Sequence, residues 1–169
     1  MPDFTFNTTP SIRQAAGGAA HLGTLLKGLP FAAIGTKVLF VTDPGIVKLG
    51  LCDAALQSIK DSGFDVTVFD KVEADPKATT VLGGVKIAKD GNIACVVGFG
   101  GGSSMDVAKV IALLAHSDQS IEQAYGVNQA TGSRLPLVLV PTTAGTGSEV
   151  TAVSILTTGA EEKKGIVSP

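Results

Sequence analysis

The chain has 169 residues, 44% of them hydrophobic but only 5% aromatic, with no tryptophan and a formal net charge of −2. That length fits one domain at roughly 100–200 residues per domain, and a chain of about 150 residues buries roughly 70% of its unfolded surface without covalent staples. The near-neutral balance gives no electrostatic case for nucleic acid or an anionic membrane, and an aliphatic, aromatic-poor composition suits a parallel sheet packed under helices.

In chain order, the first residues lack a basic region followed by an apolar one, so no secretory leader is expected. A short strand is expected at 4–7, with residues 12–15 pairing nearby. Gly17 and Gly18 break the pattern, and 21–26 read as a short helix. Residues 37–42 form an apolar strand closed by Asp43-Pro44-Gly45. Leu51, Ala55 and Ile59 mark the inner face of a helix stopping near Gly63. A strand at 65–69 precedes a helix at 79–89, which turns Val81, Val85 and Ala88 inward and stops at Gly91-Asn92. Residues 93–97 are a buried strand, followed by a glycine run and an amphipathic helix to about His116. A short helix at 121–125 and strands at 137–140, 150–156 and 164–167 complete the pattern. No apolar run approaches the ~20 residues of a membrane span, so a cytoplasmic protein is expected. Cys52, on a helix, and Cys95, in a strand, read as small buried hydrophobes rather than a disulfide or metal pair.

Strands alternating with helices predict βαβ units. The fold class is α/β: a Rossmann-like, doubly wound, mostly parallel sheet with helices on both faces. In such sheets ligands sit at the carboxyl ends of the strands, where the strand order reverses. Three features fall at carboxyl ends: Asp43, the run Gly98-Phe99-Gly100-Gly101-Gly102-Ser103, and Pro141-Thr142-Thr143-Ala144-Gly145-Thr146-Gly147-Ser148. A strand, a glycine turn and a helix bring bare N–H groups and a positive helix end against a phosphate. Four glycines in five residues are costly to order, which speaks against a purely structural turn. Ser103 and Asp106 also match a capping box, and Lys109 either lies on a solvated face or leans toward the same pocket. Asp43 either accepts two ribose hydroxyls, disfavouring a 2′-phosphate, or shapes a turn before Pro44. Thr142, Thr143, Thr146 and Ser148 supply hydroxyls suited to phosphate or ribose, or simply a polar loop. His21 and His116 lack metal-binding spacing and read as surface residues.

The motif Gly100-Gly101-Gly102-Ser103-x-x-Asp106-x-Ala108-Lys109, with Pro141-Thr142-Thr143-Ala144-Gly145-Thr146-Gly147-Ser148-Glu149-Val150, resembles the iron-dependent (group III) alcohol dehydrogenases. The resemblance runs along the whole chain. It implies a dinucleotide-binding domain over 1–169, of the dehydroquinate synthase-like kind, which family members follow with a helical domain. It implies NAD as cofactor, with NADP the alternative, and a small alcohol or aldehyde as substrate. Asp43 is implied at the adenosine ribose, Asp75 near the adenine, Gly100, Gly101, Gly102 and Ser103 at the pyrophosphate, with Asp106 beside them. Thr142, Thr143, Thr146 and Ser148 are implied along the nucleotide, Lys164 at a ribose, and Val153 with Ile155 at the cleft border. The family's Fe2+, or another divalent metal, is held by one Asp and three His of the helical domain, so these residues alone are expected to lack turnover and to supply no metal ligand. A homodimer or higher homo-oligomer is expected, without nucleic acid or membrane. Relatives of glycerol dehydrogenase, maleylacetate reductase or dehydroquinate synthase, and a non-catalytic nucleotide-binding module, are the other readings.

Overall fold

A computed structural model describes Asp3, residues 8–159 and residues 162–168. The strand expected at 4–7 lies outside the described residues. Strands β1 (Lys37–Val41), β2 (Asp65–Phe69), β3 (Cys95–Gly100) and β5 (Leu137–Pro141) form one parallel sheet in the order β2-β1-β3-β5. The register pairs Val38 with Val66 and Cys95, and Gly98 with Leu139. The chain steps outward from β1 to β2, then crosses back to β3 on the other side. The order therefore reverses between β1 and β3, the place where a parallel sheet opens a crevice at its carboxyl end.

Alternation along the strands feeds two cores. On one face Leu39, Val41 and Val96 meet Val81, Val85 and Ala88 of helix α4 (Ala78–Asp90) and the apolar side chains of α5 (Gly102–Leu114). On the other, Val38, Phe40, Val97 and Phe99 meet Leu22 and Leu26 of α1 (Leu22–Lys27) and Ala55 and Ile59 of α3 (Asp53–Asp61). Phe40 and Phe99 stack with centroids 5.4 Å apart. Helices thus cover both faces, as alternation predicts.

Helix α5 has nine of its 13 residues buried, so it is covered nearly all round. The cause is a second, three-stranded sheet that overlays it. Here β4 (Gly126–Val127) runs parallel to β7 (Lys163–Val167), and β6 (Val153–Thr157) runs antiparallel to β7. Leu156 and Ile166 from this sheet join the core around α5. The hydroxyl-bearing segment after β5 leads straight into β6 and so is carried across the top of α5.

Several expectations are corrected. Residues 12–15 are irregular, and Ile12 is 70% exposed. Leu51 is 57% exposed, because α3 begins only at Asp53, and it is Cys52 that turns inward. The strand expected at 93–97 starts at Cys95, since the Ile93 N–H still donates to Ala88 O at the end of α4. It extends through Gly98 to Gly100, placing two of the glycines inside the strand. Residues 150–152 are a turn rather than strand, with the Val150 N–H on Gly147 O. Pro44 opens a short helix α2 (Pro44–Lys48) instead of only closing a strand. Pro at the first helical position has its missing N–H where none is needed.

Candidate functional site

Strand β3 ends at Gly100, whose φ of 148° is closed to side chains by strain. A Cβ there would stand 2.6 Å from Ser104 Oγ and 3.4 Å from Asp43 Oδ2. Gly101 follows as the N-cap of α5, with no side-chain cap and no acidic residue in the first turn. The first intrahelical bond is Met105 N–H to Gly101 O at 3.2 Å. The leading N–H groups of α5 therefore face the crevice at the positive end of the helix dipole.

Asp43 approaches from the end of β1. Its Oδ1 accepts from Ile46 N–H at 3.0 Å, capping α2, while Oδ2 is turned toward Gly100. The turn-shaping reading of Asp43 is met by Oδ1, and Oδ2 stands beside Gly100. Next to it Thr42 is fully buried, and its Oγ1 has no partner among the described residues.

The loop after β5 closes the crevice from the other side. Thr142 N–H donates to Gly100 O at 2.8 Å, tying the two strand ends together. Thr143 Oγ1 stands 3.5 Å from where a Gly101 Cβ would be, and Thr146 Cγ2 3.2 Å from that of Gly102. Thr142, Thr143 and Thr146 are exposed. A Cβ on Gly101 would make ordinary contact with Thr143, whereas one on Gly102 would press on Thr146.

Asp106 and Ser148 are placed differently from the sequence reading. No capping box forms at Ser103, which already lies inside the helix. Instead Ser148, 5% exposed, donates its hydroxyl to Asp106 Oδ1 at 2.5 Å, and the Ile155 N–H donates to Asp106 Oδ2 at 3.0 Å. Both carboxylate oxygens are thus engaged inside the protein. Lys109, one turn along, has its side chain 12% exposed and pairs with Asp106 at 3.0 Å. Its ammonium also donates to Ser148 O, Thr151 O and Val153 O. Burial pulls the Lys109 ammonium below the usual lysine range, with Asp106 and Glu149 pulling it back.

The remaining expected residues lie on the second sheet or beside it. Val153 begins β6, 37% exposed. Asp75, with φ of 52°, accepts from Lys163 Nζ at 2.6 Å, beside the other end of β6, where Thr157 N–H bonds Pro76 O. Lys164 pairs with Leu156 and so shares the core-side face, its ammonium 5.9 Å from the Tyr125 ring centroid. Lys163, Gly165 and Val167 occupy the opposite face with Val153 and Ile155. The resemblance implied Lys164 at a ribose; its neighbour Lys163, bonded to Asp75, lies on the other face of the sheet.

With this geometry in hand, comparison with known proteins is direct. A family model described as iron-containing alcohol dehydrogenase matches residues 9–169. The choline dehydrogenase of Bacillus subtilis (strain 168) is 40% identical over 164 residues, covering 95% of this chain and 40% of that protein. A crystal structure of 1,3-propanediol oxidoreductase superposes with a TM-score of 0.90 at 32% identity, covering 99% of this chain and 43% of the other. Sulfoacetaldehyde reductase from Bifidobacterium kashiwanohense, solved in complex with NAD+, gives 0.85 at 33% identity over 99% of this chain and 44% of its own. The chain spans about 40% of the length of the curated relatives it matches.

Proposed function

The chain belongs to the iron-containing alcohol dehydrogenase family, and from that membership we propose that residues 1–169 act as its dinucleotide-binding domain, holding NAD for oxidation of a small alcohol to an aldehyde or ketone. The observation that carries the reading is the crevice between β1 and β3. There Asp43 Oδ2 and the side chains of Thr143 and Thr146 stand 3.2–3.5 Å from where Cβ atoms on Gly100, Gly101 and Gly102 would be, at the start of α5.

In this reading the diphosphate lies on the N–H groups of Gly102 and Ser103. An anion at a helix start gains about 0.3–1 kcal/mol from the dipole, and up to ~2 where partly buried. Asp43 Oδ2 accepts the adenosine ribose hydroxyls and repels a 2′-phosphate. Thr142, Thr143 and Thr146 bond the nucleotide from the opposite wall. Val153 borders the cleft from the second sheet, and Lys164 stands toward the other end of that sheet. Asp75 lies further off, paired to Lys163. Asp106 and Ser148 are supports rather than contacts. When bound, the nicotinamide ring supplies the hydride acceptor, and this chain's residues supply its position. Among the described residues no three His, Cys, Asp or Glu side chains gather, so these residues do not fit a metal centre. The same reading expects a homodimer, which the mass in solution decides.

Calorimetry of the chain with NAD, NADP and ADP-ribose tests it. Saturable one-to-one binding of NAD and ADP-ribose is expected, with NADP weaker, and Asp43→Gly should narrow the gap between NAD and NADP. Absence of saturable NAD binding at millimolar ligand overturns the proposal, and unchanged discrimination in the variant removes Asp43 from the ribose.

A further inference from the structure

We propose that Asp106 and Lys109 form a latch that sets where residues 142–152 stand over the glycine turn, making Lys109 a positioning residue for the dinucleotide and not a contact to it. The part of this that concerns the nucleotide rests on the reading above; the latch itself does not.

A lysine one turn into the helix that starts at a phosphate site invites a simpler guess, that its ammonium reaches the phosphate. Donor arithmetic excludes it. An ammonium has three N–H donors and no acceptor. Here Asp106 Oδ1 at 3.0 Å, Ser148 O at 3.0 Å and Val153 O at 2.5 Å take them, with Thr151 O at 3.4 Å sharing. None is left for a ligand.

What these bonds join is more informative than their number. Asp106 and Lys109 sit three residues apart on α5, whose first residues are the glycine turn itself. Their partners are the buried end of the hydroxyl loop (Ser148), the turn after it (Thr151) and the start of β6 (Val153 and Ile155). One helix therefore carries one wall of the crevice in its backbone and holds the other through two side chains. The loop has no strand pairing of its own between Pro141 and Val153. The side chains are 15% and 12% exposed, so water does not readily replace either partner. A compact ammonium suits three carbonyls in different directions, whereas a planar guanidinium does not.

The test compares wild type, Lys109→Met, Lys109→Arg and Asp106→Asn in the 169-residue chain. Hydrogen exchange of amides 148–155 is expected to accelerate about tenfold or more in Lys109→Met, while amides of β1 and β3 change less than about twofold. NAD affinity should fall about tenfold, while adenosine, which lacks the diphosphate, should bind Asp43 as before. Lys109→Arg should not restore the loop. Equal acceleration in the loop and the parallel sheet, or equal loss of NAD and adenosine, overturns the latch in favour of general support. So does full rescue by arginine. Should Lys109→Met fail to fold, the same loop-against-sheet contrast is read in Asp106→Asn, where a uniform change also overturns the proposal. Wild type that binds no NAD sinks the nucleotide reading alone, and the exchange contrast still decides the latch.

Discussion

The turn after β3 and the loop after β5 border the same crevice, yet they are held by different means. Every residue of β3 is buried. Helix α5 and strand β5 lie so close that a Cβ on Gly98 would meet Ala108 Cβ at 2.6 Å and Leu139 Cδ2 at 2.9 Å. The position of the turn is therefore set by the packed core. The loop is exposed from Pro141 to Thr146 and lacks a ladder. Its fixed points are polar bonds, worth about 0.5–1.5 kcal/mol each between neutral groups and ~1.5–3 where one is charged. One wall of the crevice should thus unfold only with the whole domain, whereas the other should open locally.

Gly98→Val attacks the first wall and carries the largest expected effect. The added branches meet Met105 Cα, a backbone atom at 3.4 Å from the first carbon, as well as two side chains. Overpacking of this kind costs typically ~1–3 kcal/mol, and occasionally more. The urea midpoint should drop accordingly. Cys95, on the same strand, supplies a second readout, since burial pushes its thiol up to about 12. In wild type it should react with a thiol reagent only through global unfolding, and in Gly98→Val much faster. An unchanged midpoint would mean that α5 does not rest on β3 as described.

Much of the first wall could be read from the sequence, and much of the second could not. Runs such as Val38-Leu39-Phe40-Val41 and Val96-Val97 are apolar on both faces, which only a doubly covered parallel strand explains. The glycine turn announces itself by composition. By contrast, nothing in the alternation of β6 and β7 says which sheet they join. The partnership of Asp106 with Ser148, 42 residues apart, leaves no local trace. The i,i+3 spacing of Asp106 and Lys109 was visible, but not that both turn inward. Four hydroxyls in the loop were legible as a group. Their division into three exposed threonines and a buried serine depends on where α5 lies beneath them.

Gly100→Ala probes the last residue of β3, where the strand meets the turn. Its φ of 148° is strained for alanine, at about 1–3 kcal/mol. The new carbon would press on Ser104 Oγ at 2.6 Å, and on the space in front of Asp43 Oδ2. A smaller fall in midpoint than for Gly98→Val is expected, together with loss of detectable NAD binding by calorimetry. Retention of wild-type affinity would move the ligand away from this crevice.

The smallest change in stability is expected from the second wall. Thr143→Val and Thr146→Val keep the shape and remove one hydroxyl each. Thr143 is exposed, and Thr146 Oγ1 accepts only a long 3.4 Å bond from Ser148 N–H. Each midpoint should stay within about 0.5 kcal/mol of wild type, while NAD affinity falls roughly two- to tenfold per lost hydrogen bond. Affinity and stability would then separate at this wall and fall together at the other. A threonine variant that destabilises as much as Gly100→Ala would place the loop within the cooperative core. Unchanged affinity in both would mean that the hydroxyls face water rather than a nucleotide.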